Sequence, residues 1–90
     1  MEKKNKNIKI LKYITNETRF KILIFLLKKE RCVCEIFPHV KKTQSTVSIH
    51  LKKLENLNLV KSKRTGKKIY YQIKDKKIKT LLNNILKMKY

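Results

Sequence analysis

Two cysteines stand one residue apart, at Cys32 and Cys34, in the stretch ERCVCEIFPHVKK spanning residues 30–42. Glu35, His39 and the chain's single proline, Pro38, share that stretch. Thiolates bind soft ions and exchange with disulfides. Four readings of the pair therefore stand open: a two-thiolate sensor of a soft ion, a redox switch, inert buried thiols, or a site for some other ligand. Residues on an α-helix turn by about 100° each, so positions two apart diverge by about 200°. Two sulfurs on a regular helix cannot grip one small ion, and binding would have to unwind the helix start or draw Cys32 out of it. A disulfide over this spacing is expected to be strained. With no C-x-x-C motif, no acidic cluster and no glycine-rich loop, an enzyme is not expected.

A second set of residues suits polyanion chemistry. Lys and Arg number 25 against 6 Asp and Glu, a formal net charge of +19 over 90 residues. A compact chain so charged repels itself, and a polyanion is its natural counterpart, the alternative being lysines that serve only solubility. The polar run TQSTVSIHLKK is followed by the basic run KSKRTGKK around the only glycine, Gly66. Gln pairs with adenine in the major groove, Ser and Thr hydroxyls meet bases or phosphates, and lysines neutralise phosphates.

The elements that must position these groups follow from periodicity. Ile8, Leu11 and Ile14 recur at helical spacing and predict a first helix over about residues 5–13. Thr15 or Asn16 would cap a second helix through Phe20, Leu23, Ile24 and Leu27, apolar all round and hence buried, with Lys28 and Lys29 closing it. A short helix is expected over about 33–38, stopped near Pro38, which puts both cysteines at its start. Thr43 caps the next helix, whose core stripe is Val47, Leu51 and Leu54, extended by Leu57. Gln44, Ser45, Thr46, Ser48, Ile49 and Lys52 then face outward, and His50 sits at the helix edge as a hydrogen-bonding residue. Alternation of Ile69, Tyr71 and Ile73 with Tyr70 and Gln72 marks a hairpin around Gly66, its tip bearing Lys61, Lys63, Arg64, Lys67 and Lys68. A last helix starts near Asp75. Its apolar positions Ile78, Leu81, Leu82, Ile85 and Leu86 form a stripe wider than one small domain covers, and Ile8, Leu11 and Ile14 offer a complementary surface.

This order predicts a single mainly α (α+β) domain over residues 1–90, a winged helix-turn-helix with N- and C-terminal dimerisation helices. Hydrophobic residues make up 41% of the chain, enough for one small core. The longest apolar run, ILIFLL at 22–27, falls short of the roughly 20 residues of a membrane span. The basic N-terminus makes a poor signal peptide, so a cytoplasmic location is expected, where the pair would not be a structural disulfide.

At this point the sequence resembles the ArsR/SmtB family of metal- and metalloid-responsive repressors. The stretches that carry the resemblance are TRFKILIFLL, CVCEI, QSTVSIHLKKLENLNLV and GKKIYYQI, in order over roughly residues 15–74. It implies a homodimeric repressor of a double-stranded DNA operator that needs no cofactor to bind DNA. It also implies that the first and last helices make the dimer, and that Gln44, Ser45, Ser48 and His50 lie at the DNA surface. Cys32 and Cys34 fall on a family motif that binds arsenite, antimonite or soft divalent metals as inducer. The chain also departs from the family. Phe37 stands where arsenic sensors of this type have a third cysteine, no cysteine lies in the N-terminal arm, and the last helix has Asp75 but no histidine for a zinc site. A trivalent metalloid would need an outside thiol, a water or His39 as third donor. The alternatives are a winged-helix repressor with redox-sensing or inert cysteines, and a basic structural protein that coats nucleic acid without sequence preference.

Overall fold

The computed structural model describes residue 12 and residues 14–88. Helix α1 spans Glu17–Leu26. Its first turn is closed by Asn16, whose side chain accepts from the Arg19 N–H at 3.1 Å, and by Glu17, a favourable charge at a helix N-terminus. Lys28 and Lys29 lie beyond its last turn rather than within it. Strand β1, Arg31–Cys32, leads into α2, Val33–His39. Helix α3 covers Gln44–Asn56, strands β2 and β3 run over Val60–Thr65 and Lys68–Ile73, and α4 covers Lys76–Lys87. Of the expected first helix over residues 5–13, Lys12 is described and helical, and the rest, with Ile8 and Leu11, lies outside the described residues.

The sheet is three-stranded and antiparallel in the order β1-β3-β2. Gly66 opens the two-residue β2–β3 turn with φ +63°, the Gly-first arrangement whose twist suits a tight hairpin. Strand β1 was not anticipated. It is two residues long, too short to show alternation, and it pairs Arg31 with Tyr71 and Cys32 with Tyr70.

Both turns that orient α3 use the same device. Lys41 and Asn58 adopt left-handed conformations, with φ 57° and 62°. After α2, Lys42 N–H donates to the Phe37 carbonyl and Lys41 N–H to that of Pro38, each at 3.1 Å. After α3, Leu59 N–H donates to Leu54 at 3.0 Å and Asn58 N–H to Glu55 at 2.9 Å. This is the paired bonding of a Schellman stop, and buried Leu54 and Leu59 supply its apolar partners. As expected, α2 stops near Pro38: it ends one residue on, at His39, and the left-handed Lys41 completes the stop.

Buried residues from Ile14 to Leu82 form one cluster, with Ile22, Leu23, Ile36, Val47, Leu51, Leu54 and Leu59 fully enclosed. The α3 stripe of Val47, Leu51 and Leu54 is as expected. The arrangement is a winged helix-turn-helix: α2 and α3 joined by a tight turn, with the β2–β3 hairpin as wing. Among the described residues, no helix is long and apolar enough to cross a membrane.

Candidate nucleic-acid interface and its cysteine pair

Thr43 caps α3: its hydroxyl accepts from the Thr46 N–H at 3.1 Å and donates to Thr46 Oγ1 at 2.9 Å. Thr46 is thus tied to its own cap and half-buried. Gln44, Ser45, Ile49 and Lys52 are exposed, Ile49 to 57%, and Ser48 is half-buried beside them.

His50 is held from the neighbouring helix. Arg19 Nε donates to His50 Nδ1 at 3.0 Å, which requires that nitrogen to be unprotonated. Burial first, then the positive charges of Arg19, Lys53 and Lys42, push the imidazole below its ordinary value. Nothing in the residue pattern marked Arg19 as this partner, since the contact joins residues 31 apart.

The wing is exposed from Lys61 through Lys68. Register sets Lys61 against Gln72, Lys63 against Tyr70 and Thr65 against Lys68. Residues opposite one another share a face, so Lys61, Lys63 and Lys68 present their charges on one side of the ribbon, and Arg64 stands on the other. Ser62 Oγ donates to Glu55 Oε2 at 2.8 Å, a tie between the wing and the end of α3.

The cysteines are arranged differently from expectation. Cys32 is the N-cap of α2, with extended backbone angles φ −70° and ψ 144°, and only Cys34 is within the helix. The helical divergence therefore does not apply. Cys32 Sγ folds back over the helix start, accepts from the Cys34 N–H at 3.1 Å, and is joined to Cys34 Sγ as a disulfide. Glu35 completes a capping box, its Oε1 accepting from the Cys32 N–H at 3.0 Å. The pair needs no unwinding of α2 to come together, and the expectation of separate thiols is corrected.

The other donors considered for this site are engaged elsewhere. His39 stacks on Phe25 with ring centroids 3.8 Å apart, and the Arg31 guanidinium lies 4.0 Å from the same ring's centroid. Asp75 caps α4, accepting from Lys77 and Ile78 N–H groups at 2.8 and 3.2 Å. No group of three or more His, Cys, Asp or Glu side chains among the described residues could hold a metal ion. Among the described residues, the site thus has two sulfur donors and no third ligand grouped with them.

A cavity of about 160 Å³ unites the two sets of residues. Cys32 and Cys34 line one side, Gln44 and Ser48 of α3 another, and Lys67 and Lys68 of the wing a third. Residue spacing could not reveal this, because three segments far apart in the chain build it.

Of the residues expected at a dimer surface, Ile14, Ile78 and Leu82 are buried within this chain's own core. They are corrected from interface to core. Leu81 and Leu86 are each 39% exposed, Ile85 is half-buried, and Met88 is open to solvent.

An outward-facing helix, a basic wing and a tight turn between α2 and α3 define a winged helix-turn-helix regulator. Residues 16–62 match the model of the bacterial regulatory protein family arsR. The chain belongs to that family. It is 36% identical over 75 residues to a cadmium resistance transcriptional regulatory protein, a CadC homolog, of Staphylococcus aureus, covering 82% of this chain and 62% of that protein. It is 32% identical over 76 residues to an arsenical resistance operon repressor of Staphylococcus aureus, covering 84% and 73%. Among solved structures, the homodimeric winged helix-turn-helix DNA-binding domain Mb0332 of Mycobacterium bovis superposes with a TM-score of 0.84 at 26% identity, covering 93% of this chain and 78% of that one.

Proposed function

We propose that this chain is a homodimeric, sequence-specific repressor that binds a double-stranded DNA operator and is released from it by chemistry at Cys32 and Cys34. The observation that carries the reading is the α3 surface: Gln44, Ser45, Ser48, Ile49 and Lys52 beside a basic wing exposed from Lys61 through Lys68. Here α3 enters the major groove, and Gln44 and Ser48 read base edges. The wing lysines and Arg64 neutralise phosphates, so they carry affinity rather than sequence. Leu81, Ile85 and Leu86 of α4 supply the described part of the contact with a second copy, consistent with the homodimeric relative.

The inducer in this reading is arsenite, antimonite or a soft divalent ion on the reduced pair, with an outside thiol or water as further donor. The names of the cadmium and arsenical regulators support that class. A second reading, a thiol redox switch, is favoured by the joined sulfurs of Cys32 and Cys34. The discriminating experiment measures operator retention by the reduced protein with arsenite, cadmium or zinc, and separately by the oxidised protein. Release by the ions with retention on oxidation supports ion sensing. Release on oxidation alone supports the redox switch. Retention throughout sinks both.

A further inference from the structure

The cavity between the cysteine pair and the wing brings the sulfurs and the DNA-facing groups into one space. Its walls carry two lysines, Gln44, Ser48 and two sulfurs, and no carboxylate. Glu35, the nearest acid in sequence, is turned to the Cys32 N–H at 3.0 Å and to Arg31 at 3.9 Å. The two sulfurs are not equivalent. Cys34 is exposed, whereas Cys32 is 3% exposed and receives the Cys34 N–H. A nucleophile in the cavity therefore reaches Cys34, and Cys32 is the sulfur with a hydrogen bond ready for the negative charge of a leaving group. At about 30 Å³ per water-sized group, the space takes a ligand of about five heavy atoms.

We infer that this cavity is the seat of a small thiol bearing a carboxylate, which exchanges onto Cys34 while Lys67 and Lys68 hold its charge. The incoming thiolate attacks Cys34 Sγ and the Cys32–Cys34 bond breaks. The new bond joins the ligand's sulfur to Cys34, and the electron pair leaves on Cys32 as thiolate. The disulfide is the oxidant and the small thiol the reductant, so the step balances without a further reagent. The adduct fills the space between Gln44, Ser48 and the wing and offsets one of the two lysine charges. Resting on the proposed DNA-reading role of that face, it blocks the operator by occupancy.

The adduct is best trapped in Cys32→Ser, because Cys32 otherwise expels the added thiol. Cys34 is then offered the symmetrical disulfides of 3-mercaptopropionate, 2-mercaptoethanol and cysteamine, and adduct formation at Cys34 is timed by mass spectrometry. The anionic probe reacts about tenfold faster than the neutral one, a few-fold for each exposed ammonium–carboxylate pair, and the cationic probe reacts slowest. Adding Lys67→Gln and Lys68→Gln removes the preference. Adding Lys76→Gln and Lys79→Gln, on α4 and outside the lining, leaves it. Equal loss in both variants means that overall charge steers the probe and overturns the seat, as does no preference at all. DNA retention of the propionate adduct is read separately. Loss completes the proposal, whereas a formed adduct that still binds operator leaves the seat standing and overturns the DNA-face reading.

Discussion

Individual side chains set the most local expectations. His50 accepts from Arg19 only while unprotonated, and its folded value lies below the ordinary 6.5. The unfolded chain thus binds a proton that the folded chain refuses. The stabilisation is present above about pH 6.5 and is lost as pH falls through the lowered folded value. Denaturant midpoints should fall between pH 7.5 and 5.5 in the wild type, and His50→Gln should flatten that slope; an unchanged slope removes His50 as its source. Cys32→Ser should keep α2 intact, since serine is a strong N-cap and can take the bond that Cys32 Sγ takes from Cys34 N–H. Cys32→Ser and Cys34→Ser should each retain operator binding and lose the response to arsenite in a retardation assay, since an oxygen replaces a soft ligand. The cysteine spacing was legible as chemistry in the sequence, but its geometry was not. A helix-start position that leaves the helix as N-cap cannot be told from one inside it without the extended backbone of Cys32.

At the scale of elements, the stripe Val47, Leu51 and Leu54, the cap Thr43 and the start of a last helix near Asp75 were readable, because each rests on interactions within a few residues. Strand β1 was not, since two residues carry no period and their pairing depends on β3. The turn before α3 invites a test. Lys41 in a left-handed conformation costs about 1–2 kcal/mol relative to glycine, and a glycine adds about 0.5–1 kcal/mol of chain entropy to the unfolded state. Lys41→Gly should therefore stabilise the fold by about 0.5–1 kcal/mol in urea titration, and a destabilised variant would show that the turn is held by more than its backbone. The recognition helix and wing should separate by function. Gln44→Ala should cost about 1–3 kcal/mol of discrimination between operator and random DNA, whereas Arg64→Ala should weaken both alike and lower the salt slope by about 1. A changed base preference in the wing variant would reverse these roles.

For the molecule as a whole, helical periodicity could not divide the α4 stripe between core and surface, because both uses need apolar residues at the same spacing. Ile78 and Leu82 face the chain's own core, and Leu81 and Leu86 remain open. Leu81→Glu with Leu86→Glu should give a folded monomer by sedimentation and helical circular dichroism, whereas Leu82→Glu should unfold the chain by burying an unpaired charge. A folded dimer in the first case would place the interface elsewhere. The net charge of +19 makes attraction to any DNA unavoidable, so affinity at low salt cannot distinguish a repressor from a basic coat protein. Selection from a random duplex library at rising salt can. The account predicts enrichment of one two-fold symmetric site, its half-sites about 10–10.5 base pairs apart or a multiple of that, still bound where random DNA is released. A pool that stays random while binding fades uniformly with salt would contradict it.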